Sequence, residues 1–127
     1  MKKKFEITEE FIINDSGIKL YRIKALKDFS DVKKGDFGGY VQQESNLSHF
    51  GNAWVFGDAR VFGDAKVYGD AWVSENAYVF DNAWICGDAW VSENAHVFGD
   101  ARVYGNAHVF GDARVCGDAW VSGDVIA

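Results

Sequence analysis

The chain predicts an all-β fold: a triangular parallel β-helix of eighteen residues per coil, closed at its N-terminal end by a β-hairpin cap. Three observations carry this. Twelve consecutive hexapeptides run from Gly51 to Ser122 without an insertion or deletion, each reading Gly/Asp/Glu, Asp/Asn, Ala, variable, Val, variable, with Ile85 once replacing Val. A strict period over more than half of a chain is the mark of a repeat architecture. A turn-forming pair, mostly Gly-Asp or Gly-Asn, arrives every six residues. Gly at that frequency destabilises helices and accepts the positive φ of a corner, which Asp and Asn tolerate better than other residues. Finally, like residues recur at eighteen rather than six. Trp54, Trp72 and Trp90 form one such series, Phe62, Phe80 and Phe98 a second, and Gly-Asp-Ala-Trp-Val-Ser-Glu-Asn-Ala occurs at Gly69 and again at Gly87.

Ala and Val stand two apart in each unit, as in Ala59 and Val61, so they share one face of a short strand of about three residues. That face fills a narrow interior, where small and β-branched side chains suit the space. The fourth and sixth positions alternate with it and face outward. Three corners close one coil, and at a strand spacing of about 4.8 Å four coils make a prism roughly 20 Å tall. Upstream, Phe11-Ile-Ile, Asn14-Asp-Ser-Gly and Ile18-Lys-Leu-Tyr-Arg-Ile read as two strands about a turn. Lys27–Phe37 is polar and turn-rich, and Val41 and Leu47, six apart, predict an irregular first coil. Residues 1–50 are expected to form the hairpin and capping segment, and residues 51–127 the array, in one folded unit. The cap covers backbone groups that an open end would leave unpaired.

The array resembles the hexapeptide-repeat, left-handed parallel β-helix superfamily, which includes many acyltransferases and the γ-class carbonic anhydrases. Val61 and Ala65 keep that superfamily's four-residue offset, while Gly63 falls one place later than usual. The resemblance implies a left-handed coil, against the usual crossover preference. A closer likeness runs over about residues 20–127. Arg22-Ile-Lys-Ala-Leu-Lys-Asp-Phe-Ser-Asp-Val-Lys-Lys-Gly-Asp-Phe-Gly-Gly-Tyr-Val and Asn46-Leu-Ser-His-Phe-Gly-Asn-Ala-Trp-Val are similar to bacterial and prophage-borne proteins labelled transferases from their repeats. The segment from Gly38-Gly39 into Asn46-Leu47 is the most specific part of that likeness.

Charge divides unevenly. Residues 1–50 hold nine Lys/Arg against eight Asp/Glu, and residues 51–127 hold four against eleven. An acidic prism repels phosphates, so direct nucleic-acid binding is not expected. No apolar run follows Lys2–Lys4, so neither a secretory signal nor a membrane span is expected. Cys86 and Cys116 lie thirty residues apart, on different walls, so no disulfide is expected between them. Free thiols fit a reducing cytoplasm.

Members of the superfamily use a His as general base or three His on zinc. The chain has three, His49, His96 and His108; His96 and His108, twelve apart, fall on different walls, match no family motif and are weak catalytic candidates. Neither a metal site nor a cofactor is expected. The corner carboxylates, among them the column Asp64, Asn82, Asp100, Asp118, read as corner geometry and an acidic face. Outward aromatics are the remaining signal: Trp54, Trp72 and Trp90 with His108 on one wall, Trp84 and Trp120 with Lys66 and Arg102 on another, and the Phe62, Phe80, Phe98 ladder. Exposed apolar surface of this extent marks contact surfaces. The expected function is therefore a non-catalytic solenoid that binds itself and a protein partner. One alternative is a prophage-type inhibitor whose acidic face occupies a nucleic-acid groove. The other is an acyl-CoA-dependent acyltransferase with its active site between subunits. Ice binding would need rows of Thr, and Thr8 is the only one.

Overall fold

The computed structural model describes residues 3–122. They form a β-solenoid of about five stacked coils, with no α-helix among them. Strands β1 (Phe5–Ile13) and β2 (Lys19–Ala25) make the antiparallel hairpin expected from sequence. At its tip the Asn14 Oδ1 accepts hydrogen bonds from the Ser16 and Ile18 amides. This local closure explains why Asn begins the turn. Strand β3 (Phe37–Val41) pairs antiparallel with β2 on one side and parallel with the array strand Arg60–Val61 on the other, so it joins cap to coil.

Each hexapeptide contributes a strand of only two residues, shorter than the three expected. The first wall holds β3, β5 (Arg60–Val61), β8 (Tyr78–Val79), β11 (His96–Val97) and β14 (Arg114–Val115), and the hairpin extends its sheet. The second stacks β4 (Trp54–Val55), β7 (Trp72–Val73), β10 (Trp90–Val91) and β13 (His108–Val109). The third stacks β6 (Lys66–Val67), β9 (Trp84–Ile85), β12 (Arg102–Val103) and β15 (Trp120–Val121). Register is parallel with an eighteen-residue offset, as in Trp72 beside Trp90 and Tyr78 beside His96. Outward residues donate their amides to the next coil: Trp72 to Ala89, Ser74 to Val91 and Asn76 to Glu93, at 2.9, 2.9 and 3.0 Å. The Ala and Val of each unit from Ala53 to Val109 are fully buried, as the pattern required.

The first coil is irregular in one place. Val41 sits beside Val61 and Leu47 beside Val67, both twenty residues on, whereas Val55 sits beside Val73, eighteen on. The two extra residues fall between Leu47 and Val55, in the loop carrying His49 and Phe50. Buried Asn46 secures this coil. Its Oδ1 accepts from the Gln42 and Gln43 amides, and its Nδ2 donates to the Gly63 and Ala65 carbonyls. Every hydrogen-bonding position of that amide is thereby used. Gly38 and Gly39 let β3 approach closely, since a Cβ there would meet the Val55 and Ala59 carbonyls at 2.6 and 2.5 Å.

Lys4 seals the N-terminal end. Its buried Nζ donates to the Ala53 and Gly51 carbonyls and lies 5.0 Å from the Phe29 ring centre. Burial, and secondly the charge of Lys27, lower its pKa to about 8, with Asp70 opposing. Phe5 stacks on His49 and meets Trp54 edge-on. One expectation fails at this point. Trp54, read as an outward contact residue, is 1 % exposed, because the cap folds Phe5 and Phe29 against its indole.

Corner geometry also differs from expectation in detail. Positive φ falls on the first residue of each unit, and none of the Asp or Asn residues at the second position adopts it. At three corners the first residue is not glycine: Glu75, Asp81 and Glu93 take φ near +60°. Asp81 and Glu93 offset that strain by accepting the Gly99 and Gly111 amides one coil on. Spacing between coils explains where glycine is required. A Cβ on Gly87 would lie 2.9 Å from the Gly105 nitrogen, whereas one on Gly57 would meet nothing closer than 3.7 Å. Gly57→Ala should therefore cost about 1 kcal/mol, the left-handed penalty alone. Gly87→Ala should cost on the order of 3 kcal/mol, because backbone must also move. Thermal melts of the two variants check the order; equal losses would contradict it.

Candidate functional site

Stacking at eighteen residues turns each outward position into a column of touching side chains. On the second wall the Trp72, Trp90 and His108 rings stack at 5.2 and 4.9 Å and within 9° of parallel. Beside them run Phe56, Ser74, Ser92 and Phe110. Trp90 and Phe110 are 44 % and 41 % exposed, and Phe56, Trp72, Ser74, Glu75 and Trp90 line an apolar groove of 460 Å³. The outward columns of this wall contain no Lys or Arg. Rings stacked in this way cover one another's faces and present their edges.

The third wall alternates aromatic and cationic groups. The Arg102 guanidinium lies between Trp84 and Trp120, 4.1 and 5.7 Å from their ring centres. Each contact is a cation–π attraction. Arg102 therefore separates the two indoles, and Trp120 is left largely exposed. Burial first, then the neighbouring Cys86 thiol, push the Tyr68 hydroxyl up to about 12, so it stays protonated near neutrality.

On the first wall the Phe62, Phe80 and Phe98 rings stack at 5.0 Å, within 4° of parallel. The parallel column reads Tyr40, Arg60, Tyr78, His96, Arg114. Over it reaches the hairpin tip. Asn14, Asp15 and Ile18 face Arg60, Tyr78 and His96 across a cleft of 640 Å³. Sequence alone could not place this cleft, because the hairpin and the array meet only through tertiary structure.

The weak catalytic candidates part company. His96 lines the cleft, stacked on Tyr78 at 5.0 Å, while His108 caps the Trp column of another wall. Burial, and secondly Arg114, lower the His96 pKa, so its ring is neutral near pH 7. Among the described residues no side chain hydrogen-bonds to either ring as an orienting partner would. His49 belongs to the cap, where its Nδ1 accepts the Lys4 amide and its Nε2 meets Glu44 at 2.8 Å.

Of the acidic face, Asp64, Asp100 and Asp118 are exposed in one corner column, and Asp100 accepts from Asn82 within it. Among the described residues no group of His, Cys, Asp or Glu gathers as a metal site would. Cys86 and Cys116 are free thiols on the third and first walls. No helix among the described residues is long and apolar enough to cross a membrane.

The His96 environment has a measurable consequence. Arg114 disfavours the imidazolium, so Arg114→Gln should move the His96 titration upward, stopping short of the ordinary 6.5 because burial remains. Proton NMR of the ring across pH 4–8 reads this directly; an unmoved or lowered midpoint would contradict the assignment.

Residues 101–116 match a family model described as the YdcK beta solenoid repeat. That stretch spans β12 to β14, one strand from each wall, and so nearly one coil. No curated protein matches the chain. Over that coil the protein is thus similar to a β-solenoid repeat, in agreement with its stacked architecture.

Proposed function

We propose that this chain is a non-catalytic β-solenoid that associates with itself and with a protein partner through its second wall. The single observation behind this reading is the Trp72–Trp90–His108 column with Phe110 beside it, an aromatic face half open to water and free of cationic side chains. The first wall is partly roofed by the hairpin tip, and on the third Arg102 interrupts the aromatic column. Aromatic residues surrounded by a polar rim are the usual anatomy of a protein interface. Of the sequence-predicted contacts, Trp72 and Trp90 serve this face, and Trp84, Trp120, Phe62, Phe80 and Phe98 lie on the other walls.

Acidic corners flank the face, including Glu75, Asp88 and Glu93, all exposed. Two copies meeting through it bring like charges together, and salt screens that repulsion. Self-association should therefore strengthen as salt rises, and Trp90→Glu with Phe110→Glu should abolish it. Sedimentation equilibrium over a dilution series checks both. A wild-type chain at its monomer mass of 14.1 kDa at every concentration and salt would contradict the proposal.

The exposed carboxylates of Asp64, Asp100 and Asp118 favour a second reading, in which the acidic edge occupies a basic nucleic-acid groove of another protein. Its salt response has the opposite sign. Capture of such a partner weakens as salt rises and is lost when those three residues become Asn.

A further inference from the structure

The cleft beneath the hairpin tip holds a cation that the fold leaves without a counter-ion. Among the described residues Arg60 has no carboxylate within salt-bridge range and forms no side-chain hydrogen bond, and its Nε is buried without an acceptor. Arg22, two strands away across β3, differs sharply: it is bonded to Glu10, the Tyr40 hydroxyl and the Gly38 carbonyl. Arg60 instead lies over the Tyr78 ring, 5.2 Å from its centre. Arg60 as a whole is half-buried, so the rest of its guanidinium remains open to the cleft while Nε alone is left unsatisfied, a loss of about 1–3 kcal/mol for a buried donor. The cleft has a mixed lining: Phe62, Phe80 and the Tyr78–His96 stack supply its aromatic part, and Asn14, Ser16 and the two carboxylates Asp15 and Asp81 its polar part. Asp15 and Asp81 stand on its rim; Asp81 is already engaged by the Gly99 amide.

We infer that this cleft binds a small aromatic carboxylate, its oxygens on the Arg60 guanidinium and its ring against Phe62, Phe80 and Tyr78. A guanidinium presents a planar fork that matches a carboxylate. Asp15 and Asp81 oppose any anion in the cleft, a dianion about twice as strongly as a monoanion, so of the two a monoanion is the better matched to the single Arg60 charge. The volume of 640 Å³ lies in the ordinary range for small-molecule sites. Asn14, Asp15 and Ile18 close the site over the ligand from the hairpin side, so occupancy should hold the tip against the wall. None of this uses the second wall, so the site stands or falls separately from self-association.

The test is an NMR titration of the full chain with benzoate, followed at the His96 ring and at the Asn14–Ile18 amides. Benzoate should shift both sets saturably, with a Kd on the order of millimolar for so small a ligand. Benzamide, which lacks the charge, acetate, which lacks the ring, and phenyl phosphate, which carries more charge, should each bind more weakly. Arg60→Met should weaken benzoate by about tenfold or more. Lys66→Met removes an equal charge from the third wall and should leave binding unchanged. Where Arg60→Met lowers the melting temperature, Arg60→Lys and Phe80→Ala supply the comparison, each expected to weaken benzoate. Benzamide binding as tightly as benzoate, no saturable shift at His96, or Arg60 and Phe80 variants that bind benzoate like wild type would overturn the inference.

Discussion

The fold depends on one backbone constraint: every sixth residue turns a corner at φ near +60° to +70°. Three such corners return the chain above its starting point, and each coil donates its outward amides to the carbonyls of the next. Because the corner recurs without interruption from Gly51, side chains of one kind stand directly above one another. The interior is filled by Ala and a β-branched residue in each unit, buried and uniform from Ala53 to Val109. Glycine is needed most where coils approach closely at the corner, as at Gly87. Acidic residues enter at the corners containing Glu75, Asp81 and Glu93, where two of the three carboxylates satisfy an amide one coil on.

The same constraint shapes the outer surface. Ring-to-ring separations of 4.9 to 5.2 Å in the aromatic ladders follow the coil spacing. The sequence chooses what fills each column, and the walls diverge accordingly: continuous aromatic on the second, aromatic and cationic in alternation on the third, mixed on the first. Rigid columns of this kind display groups at fixed intervals and lose little side-chain freedom on binding, because stacking has already ordered them. That suits the recognition role proposed for the second wall.

Coil length, inward Ala and Val, the hairpin and the outward columns were all legible in the sequence, because each is a local or strictly periodic pattern. The irregular first coil was legible at Val41 and Leu47 for the same reason. What escaped depended on contacts between segments distant in the chain. Trp54 repeats with Trp72 and Trp90, and nothing in its hexapeptide announces that Phe5 and Phe29 cover it. Lys4, in a run of three lysines, gave no hint that its ammonium would be buried against the Gly51 and Ala53 carbonyls. Arg60 looked like one more variable residue until the hairpin tip was placed above it. Positive φ belonged to the first corner residue and not to the Asp or Asn after it, a distinction that spacing alone does not make.

Native-state hydrogen exchange tests the stacked-coil account most directly. Amides of Trp72, Tyr78 and Trp84 lie one on each wall in the same coil, and each donates to a carbonyl eighteen-residue stacking places above it, those of Ala89, Ala95 and Ala101. A closed coil predicts that the three exchange slowly and at comparable rates, with the pattern repeating every six residues along the array. Rapid exchange confined to one of the three positions, while the other two remain protected, would mean that the wall is not paired and that the coil does not close.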